Sequence, residues 1–105
     1  MRKLLILTGL IVSLITGCAS TDQKDPYLGQ TAQMIYAKAH HNLQKHYFND
    51  AITAYQSLTT QYPFGHFAKK GDLDIIYAYF MTDQPAFALA SCERYLKLFP
   101  SDPNL

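Results

Sequence analysis

The side chains able to do acid–base, nucleophilic or metal chemistry are few: four histidines, two cysteines and eight carboxylates in 105 residues. A helical zinc site places two histidines four residues apart on one face. His40, His41, His46 and His66 contain no such pair, and no cysteine pair supports them. Asp72 and Asp74 lie two apart, a spacing that points them to different faces of a helix, so they form no natural acid–base pair. Cys92 sits inside a helical pattern and reads as a small buried hydrophobe rather than a nucleophile. No catalytic residue, no metal site and no cofactor is expected, and the chain reads as a non-enzyme. The remaining candidate, Cys18, has a different chemistry open to it, that of covalent modification.

Cys18 ends the run Leu14-Ile15-Thr16-Gly17-Cys18, which follows a cationic Arg2-Lys3 start and an uncharged, mostly apolar stretch from Leu4 to Ile15. A basic start, a short apolar region and small residues at a cut site describe a secretory signal. The branched residue, small residues and cysteine resemble the lipobox of bacterial lipoproteins, which implies cleavage after Gly17 and acylation of Cys18. The apolar run falls short of the roughly 20 residues a spanning helix needs. The alternative is a simple secretory signal with an incidental cysteine, which leaves Cys18 as a free thiol or paired with Cys92 in an oxidising compartment. Multiple acyl chains are what make such an anchor stable. Ala19 rather than Asp after the cysteine resembles the sorting signal for the outer membrane, so a lipid-anchored, periplasm-facing placement is expected.

Removing residues 1–17 leaves 88 residues, enough for one small domain but close to the size at which burial becomes marginal. Without Arg2 and Lys3 the Lys and Arg count drops from 9 to 7, against 8 Asp and Glu. No dense basic stripe remains to support nucleic-acid binding. Residues 18–30 begin at the cysteine that the lipobox resemblance implies is lipidated, and Ser20, Thr21, Asp22, Lys24, Asp25, Pro26 and Gly29 give a polar, turn-prone composition that predicts a flexible, solvated tether.

From Thr31 to Leu105 the breakers cluster at Pro63 with Gly65, at Pro85, and at Pro100 with Pro103, and they punctuate four helical segments. The expected helices run from about Thr31 to His46, Asn49 to Tyr62, Phe67 to Met81, and Gln84 to just before Pro100. Asn49 is a good N-cap residue, and Pro85 suits a first helical turn. Ala51, Ile52, Tyr55, Leu58, Tyr62 and Pro63 match Ala88, Leu89, Cys92, Tyr95, Phe99 and Pro100, each pair 37 residues apart. A period in this range predicts an all-α fold, an α-solenoid of about two helix-pair repeats.

The repeat resembles the tetratricopeptide pattern, which wants Ala late in the unit, an aromatic four positions on and Pro at the end; both units comply at Ala and Pro. Ala39 fits the small-residue position of the first helix, whereas Ile76 departs from it; Tyr79 supplies the usual aromatic, whereas Asn42 does not. The spacing of 37 against the usual 34 or so predicts an extended turn around Phe64-Gly65-His66. Ile35-Tyr36-Ala37-Lys38-Ala39, Tyr62-Pro63-Phe64-Gly65, Leu73-Asp74-Ile75-Ile76-Tyr77-Ala78-Tyr79 and Arg94 through Pro100 carry a closer resemblance, to the BamD family of lipoproteins of the outer-membrane β-barrel assembly machinery.

That resemblance implies a scaffold that helps insert β-barrel proteins into the outer membrane, with BamA, BamC, BamE and unfolded barrel substrates as partners. It also implies a longer chain with further repeats, so these residues read as an N-terminal portion with its last helix uncapped and Tyr95, Leu96 and Phe99 partly solvated. In tetratricopeptide units the peptide groove is lined by the first helix of each pair, which places Tyr36, His40, Leu43, Leu73, Tyr77 and Phe80 there. Ordinary core packing is the competing account of those six. Two other functions stay open: a periplasmic repeat adaptor in envelope maintenance unrelated to barrel insertion, and a lipoprotein enzyme whose catalytic part lies downstream.

Overall fold

The computed structural model describes residues 24–101. The signal peptide expected at 1–17 and the modification expected at Cys18 lie outside the described residues. Among the described residues four helices follow one another: α1 (Ala32–Gln44), α2 (Phe48–Gln61), α3 (His66–Met81) and α4 (Pro85–Leu98). Thr31 caps α1, its Oγ1 accepting from the Met34 N–H at 3.2 Å. Asn49 is not the cap of α2; the cap is Tyr47, two residues earlier, and it makes no side-chain cap bond. Pro85 takes the first turn of α4, where its missing N–H leaves no bond unmade.

The repeat is visible in the backbone itself. His46 and Asp83, 37 residues apart, both adopt the left-handed region, with φ of 63° and 56°. The next N–H reaches back in the same way in each unit, Tyr47 to the Asn42 carbonyl at 2.8 Å and Gln84 to the Tyr79 carbonyl at 2.9 Å. These bonds close a Schellman-type helix end without glycine, using two of the residue types that tolerate positive φ best. Tyr62 and Phe99, each before a proline, share nearly the same φ and ψ, −134° and 63° against −133° and 61°.

The turn around Phe64 is not extended. Four residues, 62–65, separate α2 from α3, and the extra length of the repeat lies mainly in α3, which has 16 residues where α1 has 13.

Helix α2 packs between α1 and α3, α3 also touches α1, and α4 packs on α3 alone among the described helices. Ile35 and Ala39 from α1, Ala51, Ala54, Tyr55 and Leu58 from α2 and Ala78 from α3 are wholly buried. The alanines let the backbones close up while Tyr55 and Leu58 fill the seam. Position in this array explains why equivalent residues differ. Tyr55 is buried between two helices, but its counterpart Cys92 is only half-buried, against expectation, because α4 has a single helical neighbour. Tyr95 departs the other way: it is 2% exposed rather than partly solvated, whereas Leu96 is 49% exposed.

The expected tether is also corrected in part. Residues 25–30 form a turn fastened to the C-terminal half of α2. Asp25 accepts from the Ser57 hydroxyl at 2.5 Å and from the Tyr27 N–H at 2.9 Å, and these bonds hold its carboxyl below the usual carboxylate range. Gln61 donates to the Tyr27 carbonyl at 3.0 Å and accepts from the Gly29 N–H at 3.2 Å. Tyr62 donates to the Gln30 carbonyl at 2.6 Å. A polar composition predicted solvation, but long-range partners on α2 satisfy the polar groups instead.

Candidate functional site

The two neighbouring carboxylates of α3 face opposite sides of the helix array and build two different surroundings. Asp74 gathers the α1 and α2 aromatics. Its Oδ2 accepts from the Tyr55 hydroxyl at 2.9 Å and the Tyr36 hydroxyl at 3.2 Å, and lies 3.6 Å from His40 Nδ1. The Tyr36 and His40 rings stack with centroids 5.5 Å apart, as their four-residue spacing on α1 allows. Phe67 closes on Tyr36 at 5.6 Å, and the Lys70 ammonium lies 5.8 Å from the same ring.

Burial, and then the Asp74 charge and hydrogen bond, push the Tyr36 phenol up to about 12; the same causes raise Tyr55 further. Both phenols are therefore neutral donors at physiological pH. The cluster is a hydrogen-bonding constellation rather than a proton-transfer one.

The six groove residues divide. Tyr36 and His40 meet at Asp74. Leu43 and Leu73 are half-buried, Leu43 packing against the core. Tyr77, 48% exposed, meets Phe48 edge-on at 6.0 Å, and Phe80 is 71% exposed. Tyr36 and Leu43 thus owe much of their environment to packing, while Tyr77 and Phe80 offer aromatic surface to a partner. Asp74 and Tyr55 are the members that sequence reasoning missed. Asp74 was passed over because it pairs with no second carboxylate, and Tyr55 because its place in the repeat pattern already accounted for it.

Asp72 looks the other way, into a cleft of about 400 Å3 over α3 where α2 and α4 diverge. Gln56, Thr59, Tyr79, Ser91 and Arg94 also line it, and Gln56 donates to the Tyr79 hydroxyl at 2.8 Å. Asp72 is 3% exposed, and its ionic contact with Arg94 is long at 3.9 Å. Burial raises its pKa, with Arg94 only partly opposing. The folded state therefore binds this proton more tightly than the unfolded chain does. Stability falls as pH rises from the ordinary carboxylate value, about 3.9, through the raised folded one. Asp72→Asn carries no charge to desolvate. It is expected to melt at a higher temperature than the parent at pH 7, and the gain should shrink as pH approaches about 4 in paired thermal melts.

Among the described residues no three His, Cys, Asp or Glu side chains converge in a way that could hold a metal ion. No described helix is long and apolar enough to cross a membrane.

Residues 29–105 match the YfiO family model, described as an outer membrane lipoprotein. The chain is similar to the outer membrane protein assembly factor BamD of Neisseria gonorrhoeae, 32% identical over 109 residues covering 100% of this chain and 40% of the relative. The corresponding factor of Vibrio cholerae is 35% identical over 100 residues, covering 94% of this chain and 41% of the relative. That of Haemophilus influenzae is 30% identical over 105 residues, covering 99% and 39%. The chain spans about 40% of the length of these curated relatives. With the tetratricopeptide-like helix pairs repeating in both side chains and backbone, and the family match running from the docked turn through α4, this chain belongs to the YfiO family of outer membrane lipoproteins.

Proposed function

We propose that the chain is a non-catalytic scaffold of outer-membrane β-barrel assembly, held at the periplasmic face of the outer membrane by acyl chains on Cys18. Its partners on this reading are BamA, BamC, BamE and unfolded barrel segments. The observation that carries it is the aromatic edge of α3, Tyr77 and Phe80, left exposed in a chain whose relatives are named as assembly factors. A barrel strand alternates apolar with polar residues. The exposed rings suit the first kind, and the cluster that Asp74 of α3 makes with Tyr36 and His40 of α1 suits the second. An envelope adaptor unrelated to barrel insertion draws no support from those relatives.

A photo-crosslinking residue placed at Phe80 or Tyr77 of the acylated chain should capture an unfolded barrel-protein segment several-fold more than one at the exposed Thr53 of α2. Equal capture at all three positions would remove the groove. Cys18→Ala should release the chain from the membrane fraction, and a variant that stays bound there would remove the lipid anchor.

A further inference from the structure

The docked turn at residues 25–30 fixes where the chain leaves the domain. Lys24 is six residues beyond Cys18, so an extended link places it at most about 22 Å from that residue. Whatever holds Cys18 therefore lies close to the surface around Lys24, and the clamp of Asp25, Gln61 and Tyr62 decides which surface that is.

That surface has a definite chemistry. Helix α1 contains no carboxylate between Ala32 and Gln44. On it, Met34, Lys38 and His41, with Lys45 at its end, recur at helical spacing, and all four are exposed. A hollow of about 500 Å3 between the turn and α1 is lined by Tyr27, Gln30, Met34, Ala37, Lys38 and His41. Two apolar side chains stand out beside it, Leu28 at 70% and Met34 at 56% exposure. Among the described residues, Asp25 is held by Ser57, and Asp50 lines a neighbouring hollow with Lys38. Cationic side chains interspersed with apolar tips are the composition that settles on an anionic lipid interface.

We propose that the turn is an orienting clamp, and that Leu28 of the turn and the α1 face bearing Met34, Lys38 and Lys45 lie on the anionic phospholipid headgroups of the bilayer that holds the chain's own lipid. This rests on acylation of Cys18. Helix α4, on the side of α3 away from α1 and α2, then faces away from the headgroups.

The test uses the acylated full chain in vesicles of phosphatidylethanolamine and phosphatidylglycerol, with Cys92→Ser so that a single fluorophore reports from Met34→Cys or, separately, from Phe87→Cys. Quenching by headgroup-labelled lipid should be several-fold stronger at position 34 than at 87. The contrast should shrink with Lys38→Glu and Lys45→Glu together, and with phosphatidylcholine in place of phosphatidylglycerol. It should also shrink with Gln61→Ala, which loosens the clamp while circular dichroism reports the helices intact. Equal quenching at 34 and 87 in a chain whose mass shows the acyl groups overturns this proposal and leaves the anchor standing. A chain recovered without acyl groups overturns both. A contrast indifferent to lipid charge overturns the assignment to anionic headgroups.

Discussion

Tyr55→Ala is expected to cost about 3–5 kcal/mol, a large share of the roughly 5–15 kcal/mol that holds a small domain together. Tyr55 is wholly buried and is the largest side chain in the seam between α1, α2 and α3. Its truncation empties the centre of the first repeat and leaves Asp74 with one phenol in place of two. A urea titration should show the midpoint falling steeply. Tyr55→Phe separates the two contributions, because it keeps the packing and removes only the bond to Asp74. A hydrogen bond to a charged group is worth about 1.5–3 kcal/mol, and the lower part of that range applies here because the Tyr36 hydroxyl remains. Equal midpoints for the phenylalanine and parent chains would mean that Asp74 contributes nothing through Tyr55.

The second large effect is expected at Gly71, in the interior of α3. A Cβ there would lie 3.0 Å from Leu58 Cδ2 and 3.1 Å from Tyr55 Cδ1. Neither neighbour yields readily, since both are wholly buried and Tyr55 is tied at its far end to Asp74. Gly71→Leu forces α3 away from α2 and should cost about 1–3 kcal/mol by overpacking. Gly71→Ala is the informative companion. The gain of about 1 kcal/mol in helix propensity opposes a contact tight by a few tenths of an ångström, so its melting temperature should stay near the parent's. A Gly71→Leu chain as stable as the parent would show that the two helices can separate freely.

Some of this architecture was legible in the residues and some was not. Proline positions and apolar spacing located all four helices, because those signals act within a few residues of where they stand. The 37-residue match located the repeat, and the structure extends it to turn residues that share no side-chain type, His46 with Asp83 and Tyr47 with Gln84. Burial was less legible. Cys92 and Tyr55 occupy equivalent positions, yet exposure depends on how many helices flank each one, which no local pattern encodes. The Asp74 cluster joins positions 19 and 38 residues apart, and the clamp joins positions 32 and 34 apart, each through polar side chains that composition alone assigns to solvent. Polar contacts of that range leave no periodicity behind them.

The docked turn is gripped chiefly by its main chain. Gln61 and Tyr62 reach the carbonyls of Tyr27 and Gln30 and the N–H of Gly29, atoms that every non-proline residue carries. The grip is thus largely blind to what the turn's side chains are, with three exceptions: Asp25, which uses its carboxylate, Tyr27, whose ring packs against the core, and Gly29, whose φ of 82° disfavours other residues. Mutation can rewrite much of the segment's surface, and with it whatever that surface meets, without loosening the attachment. The inheritance that matters is carried by two residues at the end of α2, outside the segment they hold.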